Sequence, residues 1–326
     1  MKKILSLVLV SVMLLSLFAF TGCQKEEATL KLGLGVYTSV SATDATEDKA
    51  GQGQATVTVA TVLVDDEGKI VKAVIDCADN KVGYTADGKA VANDSFKTKY
   101  ESGKDYNMVA YGGAAKEWFE QADAFAALIV GKTAAEVKSL VAADNKGTEE
   151  VINAGCTIYV AEFVKAVEKA MSNAVASNAT ANDTLKLGVS TTQSTTDATE
   201  DKAGSNKVET YVFAAAVNAE GKVTAAASDC AEVSFGFDIA GKTTFDATKE
   251  VLTKKEKGDN YGMKAYGGAA KEWYEQAAAF DASCIGKTAG EISSLMGADG
   301  KGNADVQAAG CTIYVSGFVA AASKIG

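Results

Sequence analysis

The chain has 326 residues, a formal net charge of −10 and no histidine or proline, and all 32 of its basic residues are lysine. The lack of histidine removes the usual general base and zinc ligand, and the lack of arginine removes the bidentate fork for phosphates and base edges. The acidic balance also argues against nucleic acid as a partner. Hydrolases and nucleic-acid-binding proteins are therefore disfavoured.

The first 22 residues predict an export signal of the lipoprotein type. Lys2 and Lys3 precede a continuous apolar run over residues 4–20, and small residues lead to Cys23. We expect cleavage before Cys23, diacylation of its thiol and a short tether over residues 23–29. The acyl chains would anchor the protein in membrane lipid, which places it at the extracytoplasmic face of a bacterial cell membrane.

The remaining chain is a tandem repeat. Residues 32–170 match residues 185–323, and the blocks TDATEDKAG, AYGGAAKEW and AGCTIYV are identical in the two copies while the segments between them diverge. The identical positions are concentrated in short polar and glycine-containing blocks, which favours a functional constraint on these blocks. A recent duplication of the whole repeat is the alternative. The predicted domains are residues 30–171 and 184–326. Between them, the small polar residues 172–183 are typical of a flexible linker that leaves the two domains semi-independent.

Each copy begins with strand-like segments. In the first copy β-branched residues alternate over 56–64, and a turn leads to a partner strand over 69–76. The second copy repeats this pattern over 208–217 and 222–230. A further short strand is predicted at residues 82–85 and in the matching segment of the second copy. These segments predict an antiparallel sheet in each repeat.

Helical patterns follow the strands. Apolar residues at helical spacing predict a helix over residues 114–130, a capping box at Thr133 begins a second, and a third starts near Ala161 and continues through Ala170. The expected fold class is α+β, with two tandem repeated domains that each have an antiparallel sheet and helices packed on one face.

Two pairs of cysteines recur at matching positions. Cys77 aligns with Cys230, and Cys156 aligns with Cys311. One interpretation is a disulfide in each repeat, Cys77–Cys156 and Cys230–Cys311, each worth ~4–5 kcal/mol in the chain-entropy model. The other is that these residues are small buried hydrophobes. Cys284 falls on the apolar face of a predicted helix and is expected in the core.

The block TDATEDKAG carries Asp44, Glu47 and Asp48 within five positions. Three carboxylates so close together are compatible with a calcium ion, but the spacing and the closing glutamate of an EF-hand are missing. A solvated acidic loop is therefore the favoured interpretation.

The block AYGGAAKEW is better placed for binding. Gly112 and Gly113 directly precede a predicted helix, whose free backbone N–H groups can receive a phosphate without arginine. Tyr106, Tyr111 and Trp118 lie near this turn in the sequence and offer faces for stacking. The corresponding residues of the second copy are Gly267, Gly268, Tyr261, Tyr266 and Trp273. The alternative is a turn whose aromatic residues pack in the core, which is the favoured role for Trp118.

The third block brings a resemblance to a known family. The segment over residues 154–170, with Gly155, Thr157 and the helix after them, resembles the end of the FMN-binding domain of exported flavoproteins. Gly68-Lys69-Ile70-Val71 is similar to an earlier segment of that domain. In that family the last hydroxyl residue of the motif carries FMN through a phosphodiester bond. The resemblance implies this role for Thr157, and for Thr312 after Gly310 in the second copy.

The resemblance leaves the mode of attachment open. Ala154 and Cys156 stand where the family motif has a hydroxyl residue and an alanine. The function implied is that of a flavin-based electron carrier that meets a membrane redox complex; whether FMN is attached covalently, bound without a covalent bond or absent stays open. The alternative is a cofactor-free module at the cell surface that binds a ligand or a protein.

Overall fold

The computed structural model describes residues 28–93 and 95–326. The predicted export signal and Cys23 lie outside the described residues. The strands of the first repeat are β1 (Leu30–Thr43), β2 (Gly51–Val64), β3 (Ile70–Tyr84) and β4 (Ala90–Val91). Its helices are α1 (Lys99–Ser102), α2 (Trp118–Leu128), α3 (Ala134–Lys138), α4 (Glu149–Asn153) and α5 (Ala161–Ser172).

The second repeat follows β5 (Val175–Ala179) and has the same order of elements. Its strands are β6 (Thr184–Thr196), β7 (Gly204–Val217) and β8 (Val223–Phe237). Its helices are α6 (Lys254–Lys257), α7 (Trp273–Cys284), α8 (Ala289–Ile292), α9 (Ala304–Ala308) and α10 (Ser316–Ala322). One sheet has the order β4-β3-β2-β1-β5 and the other β6-β7-β8, all antiparallel. The predicted α+β class is confirmed.

Strand β2 shows why the molecule has four layers. Val57, Val59 and Leu63 point into a core that residues of both sheets share. Ala60 and Val62 point the other way, beneath the helices of their own repeat. Because the strand is apolar on both faces, both faces must be covered. Each sheet therefore packs on helices with one face and on the other repeat's sheet with the other.

The prediction of a flexible linker over residues 172–183 is wrong. Residues 175–179 form β5, which pairs with β1 through Leu32 opposite Val175, and the Ser177 hydroxyl donates to the Leu30 carbonyl over 2.6 Å. Small polar residues can be disordered, but here the open edge of β1 offers them backbone partners. Together with the shared core, this pairing also corrects the prediction that the two domains are semi-independent.

A pseudo-twofold relation joins the repeats. The Ala45 amide donates to the Gly241 carbonyl and the Ala198 amide donates to the Gly88 carbonyl, each over 2.8 Å. Between these contacts the rings of Tyr84 and Phe237 stack with centroids 4.6 Å apart. The first identical block, TDATEDKAG, thus forms a loop that packs against a turn of the other repeat.

The last helix of the first repeat lies directly on glycines of β1. A Cβ atom added at Gly35 would lie 2.0 Å from the Ala166 carbonyl oxygen and 2.3 Å from the Ala170 amide nitrogen. Both are backbone atoms of α5, so the clash cannot be relieved by a side-chain rotation. Glycine is required here for close approach of helix and strand.

We therefore expect Gly35→Ala to lower the free energy of unfolding by about 1–3 kcal/mol, since α5 must shift to admit the methyl group. Gly83→Ala is the matched control, because a Cβ there would come no closer than 3.5 Å to Val91. Urea unfolding of the two variants tests this. Equal midpoints for Gly35→Ala and Gly83→Ala would contradict the proposed packing.

Candidate functional site

The threonines singled out from the sequence lie in exposed turns at the start of the last helices. The backbone amide and the hydroxyl of Thr157 both donate to Gln121 Oε1, over 2.8 and 3.0 Å. Gln276 holds Thr312 in the same way, with the same two distances. Both threonines are exposed residues.

The second and third identical blocks meet at this turn. Gly155 has φ +97°, and a Cβ there would lie 2.4 Å from Lys116 Nζ. Gln121 completes the connection, because its Nε2 donates to the Lys116 carbonyl over 3.0 Å. In the second repeat Gly310 has φ +104° and stands in the same relation to Lys271. The glycine is thus required by its backbone conformation, which only glycine adopts freely, and a lysine ammonium lies beside each threonine turn.

The predicted phosphate site at the double glycine is wrong. Helix α2 begins at Trp118, four residues later than predicted, and Gly112 and Gly113 lie in a turn before it. The helix N-terminus is already satisfied: Glu117 and Glu120 form a reciprocal capping box, and Glu117 Oε2 also accepts from the Met108 amide over 3.0 Å. Carboxylates at these amides exclude a phosphate. The same holds for Gly267 and Gly268 before α7, with Glu272 and Glu275.

The glycines of this turn have a conformational role. A Cβ at Gly112 would lie 2.6 Å from the Met108 carbonyl oxygen, and Gly113 has φ +68°. The neighbouring Tyr111 is 88% exposed and Tyr266 is 93% exposed. Neither tyrosine lines the cleft beside its threonine turn, so the prediction that they stack on a ligand there is wrong.

Each repeat has an aromatic-walled cleft between its sheet and the start of its last helix. In the first repeat it measures about 510 Å³, and its wall includes Tyr106, Trp118 and Tyr159. In the second repeat it measures about 580 Å³, and Thr312 itself lines it. In the first repeat Ile158 and Tyr159, the residues directly after Thr157, line the cleft. Equivalent positions also supply Met108 and Met263, Ile158 and Ile313, and Tyr159 and Tyr314.

A lysine with aromatic neighbours lies in the wall of each cleft. Lys99 Nζ is 5.5 Å from the centroid of the Tyr106 ring and 5.6 Å from that of Trp118, within the range of cation–π attraction. Its ammonium pairs with Asp79 over 3.2 Å, and its side chain is 16% exposed. Burial opposes the charged form, but Cys77, Asp79 and Tyr106 outweigh it and raise the pKa of Lys99.

The lysine of the second cleft is held more tightly. Lys254 Nζ lies 2.6 Å from Glu209 Oε1 and 3.2 Å from Glu232 Oε2, and its side chain is only 6% exposed. Burial lowers the pKa of Lys254, yet its acidic neighbours outweigh burial and raise the pKa overall. Burial likewise opposes ionisation of Glu209, but the charge of Lys254 lowers the pKa of Glu209 to about 2. Both clefts therefore keep a charged ammonium at neutral pH.

In each repeat a buried aspartate positions the short helix that carries the cleft lysine. Asp76 Oδ1 accepts from the Tyr100 amide at the start of α1, over 3.2 Å, and from the Cys77 amide over 2.7 Å. Asp229 makes the same two contacts with Lys255 and Cys230 at the start of α6. Burial raises the pKa of Asp76 and of Asp229 to about 6 in each case. These carboxylates join β3 and β8 to the helices that carry Lys99 and Lys254.

The cysteines predicted to form disulfides are free. Cys77, Cys156, Cys230 and Cys311 are all buried thiols, and the described residues contain no disulfide. The alternative, small buried hydrophobes, describes them better, and Cys284 is buried in the core as expected. Burial raises the pKa of Cys77 to about 12 and that of Cys156 to about 11. Buried thiols with raised pKa values stay protonated at neutral pH and are poor nucleophiles.

The acidic block has a structural role between the repeats. Asp44 Oδ1 accepts from the Thr243 amide over 2.8 Å, and Asp197 Oδ1 accepts from the Ala90 amide over 2.9 Å. Among the residues that the structure describes, no group of three or more Cys, Asp or Glu side chains is arranged to hold a metal ion. The partner of this loop is therefore the other half of the same chain.

Sequence reasoning missed the lysines of the clefts and the aspartates behind them. Their signal was present: the sequence Thr-Lys, a capping glutamate and a glycine recur at Thr98–Gly103 and Thr253–Gly258. Helices of four residues lack a hydrophobic period and escape such a search.

No family model, curated protein or solved structure matches this chain. Within residues 28–93 and 95–326, no helix is both long and apolar enough to cross a bilayer.

Proposed function

We propose that each repeat binds one flavin in its cleft and that the protein carries electrons at the extracytoplasmic face of the membrane. One observation carries this proposal: in both repeats the turn with the exposed threonine that the resemblance to FMN-binding domains marks borders an aromatic-walled cleft, which is lined by Thr312 in the second repeat and by Ile158, next to Thr157, in the first. The proposed electron partner is a membrane redox complex.

The residues of the clefts are compatible with FMN. Volumes of about 510 and 580 Å³ fall within the ordinary range for small-molecule sites. Tyr106 and Trp118 offer ring faces, and Met108 and Ile158 exclude water. Lys116, at the threonine turn, supplies a positive charge for a phosphate in a chain without arginine. When bound, FMN supplies the electron-transfer chemistry, while the chain binds, orients and shields it.

Natively exported protein tests the proposal directly. We expect flavin absorbance in the purified protein, and with covalent attachment an added FMN mass on the peptides that contain Thr157 and Thr312. If attachment is non-covalent, the stripped protein should bind two equivalents of added FMN. Protein that contains no flavin and binds none would contradict the proposal.

Variants of the two threonines separate attachment from binding. Thr157→Val with Thr312→Val should abolish any covalent flavin, whereas Thr46→Val, which changes an exposed threonine outside the clefts, should leave it in place. The two threonine variants should still fold, since each loses one partly buried hydrogen bond worth about 1 kcal/mol. Covalent flavin that persists in the double variant would place the attachment elsewhere.

A cofactor-free interaction module is the second candidate function. The observation that favours it is the pair of almost fully exposed tyrosines, Tyr111 and Tyr266, on equivalent turns outside the clefts. Tyrosine is enriched at protein interfaces. Under this alternative, Tyr111→Ser with Tyr266→Ser would abolish binding to the partner, whereas occupancy of the clefts would be unchanged.

A further inference from the structure

Among the positions that differ between the two clefts is one facing pair, in which the two substitutions compensate each other. In the first repeat Thr58 Oγ1 donates to Glu162 Oε2 over 3.1 Å, which joins β2 to the first turn of α5. In the second repeat the equivalent residues are Tyr211 and Gly317. A Cβ at Gly317 would lie 2.3 Å from the Tyr211 ring, so the tyrosine fits only because the glutamate is absent.

The exchange changes the charge of the cleft wall. Glu162 lines the first cleft, and among the described residues no lysine ammonium forms an ion pair with it. Glu209 lines the second cleft, but it is paired with both Lys254 and Lys207, the latter over 3.2 Å. The first cleft therefore presents a carboxylate without a paired cation. The second presents the face of Tyr211 in the corresponding place.

We propose that this difference makes the two clefts unequal towards the charge of a bound ring, so that the first favours a neutral ring and the second accepts an anionic one. The inference rests on the proposed function, because it takes the ligand to be a flavin. The flavin ring is neutral when oxidised and gains negative charge on reduction. The carboxylate of Glu162, which has no ion-pair partner among the described residues, opposes that gain, because charges within a few ångströms in a partly buried cleft interact strongly. The flavin of the first repeat therefore has the lower midpoint potential.

The consequence is a direction for electron transfer within one chain. A two-electron reduced flavin in the first cleft transfers its electrons to an oxidised flavin in the second, and protons exchange with solvent at both. The first flavin is oxidised and the second reduced, so no further reactant enters this step. The Thr58–Glu162 pair and the Tyr211–Gly317 pair are the specificity determinants of the two sites.

The test is a redox titration of the FMN-loaded full chain, followed by absorbance. Wild-type protein should show two reduction waves, one for the flavin of each cleft. The ratio of the affinity for reduced FMN to the affinity for oxidised FMN should differ at least tenfold between the two clefts. For a two-electron couple this corresponds to a separation of about 30 mV or more. Glu162→Gln should raise the lower wave towards the upper one and leave the upper wave unchanged. Glu168→Gln, which removes the same charge from the same helix outside the cleft, should move neither wave.

A paired exchange strengthens the test. Thr58→Tyr with Glu162→Gly should raise the midpoint potential of the first cleft towards that of the second, while Glu162→Gln keeps the test decisive if the paired variant does not fold. Two equivalents of FMN that titrate as one wave, or a lower wave unmoved in Glu162→Gln, would overturn the inference and leave the proposed function intact. Protein that binds FMN at neither cleft would overturn both.

Discussion

Replacement of Lys254 by methionine is expected to lower the free energy of unfolding by about 3 kcal/mol at neutral pH, because it leaves Glu209 and Glu232 without their shared cation in a largely buried site. Lys254 contacts both carboxylates, over 2.6 and 3.2 Å. Lys207 remains near them and limits the loss. Urea unfolding at pH 7 measures the change.

Two further variants calibrate this result. Lys255→Met alters an exposed neighbour on the same helix, and we expect a change within about 0.5 kcal/mol. Lys99→Met should fall between the two, since Lys99 pairs with one carboxylate and is more exposed. Equal losses for Lys254→Met and Lys255→Met would contradict the assigned ion pairs.

The effect of Lys254→Met should depend on pH. The native pKa of Glu209 is lowered to about 2 by Lys254. A carboxyl with a lowered folded-state pKa contributes stability above its unfolded value of about 4.3, and that contribution is lost as the pH falls through the folded-state value. The difference between wild type and Lys254→Met should therefore narrow from pH 5 to pH 3. A constant difference over this range would argue against Glu209 as the partner.

The double replacement Ser228→Ile and Asp281→Ala is expected to stabilise the protein at pH 7. Asp281 Oδ2 accepts from the Ser228 amide over 3.0 Å, but its Oδ1 and the Ser228 hydroxyl have no hydrogen-bond partner in the described part of the chain. The first repeat has Ile75 and Ala126 at these positions, both buried in its core. Burial raises the pKa of Asp281 to about 6. Removal of this buried carboxylate should raise the free energy of unfolding by about 2 kcal/mol, since one pKa unit corresponds to about 1.4 kcal/mol.

The sign of the pH dependence follows from the raised pKa. A carboxyl whose folded-state pKa is about 6 binds a proton more tightly in the folded than in the unfolded state, so stability falls as the pH rises from about 4 through 6. Asp76 and Asp229 act in the same direction. Wild type should thus be more resistant to urea at pH 5 than at pH 7. The double variant should show a smaller difference, and an unchanged difference would contradict the role of Asp281.

The class and repeat structure of the fold could be predicted from the sequence because they depend on local periodicity. The start of α5 at Ala161 and the cap at Thr133 agree with their patterns. Strand β1 was not predicted, although Leu30, Leu32 and Leu34 alternate along it and are buried. The segment at residues 82–85 is the end of the long β3, and α2 begins late because Glu117 caps it in an extended conformation.

The arrangement of the clefts could be predicted only in part. The turn that contains Thr157 is a local sequence feature, so it could be singled out from the sequence. The residues that contact that turn lie on other elements: Lys116 and Gln121 reach it from the start of α2. Lys99 of the cleft wall lies on α1 and pairs with Asp79 of β3. The packing of the two sheets against each other could not be predicted either, because a strand that is apolar on both faces does not indicate which element covers each face.

The crossed ion pairs between the repeats have a consequence for how the clefts behave. Lys169 on α5 contacts Glu256 on α6 over 2.6 Å, and Lys324, just after α10, contacts Glu101 on α1. The short helix behind each cleft is thus braced by the terminal helix of the opposite half. Occupancy of one cleft that displaces its short helix changes the support of the other half's terminal helix, and by thermodynamic reciprocity the influence runs both ways. We therefore expect a ligand of one cleft to change the affinity of the other cleft for its ligand.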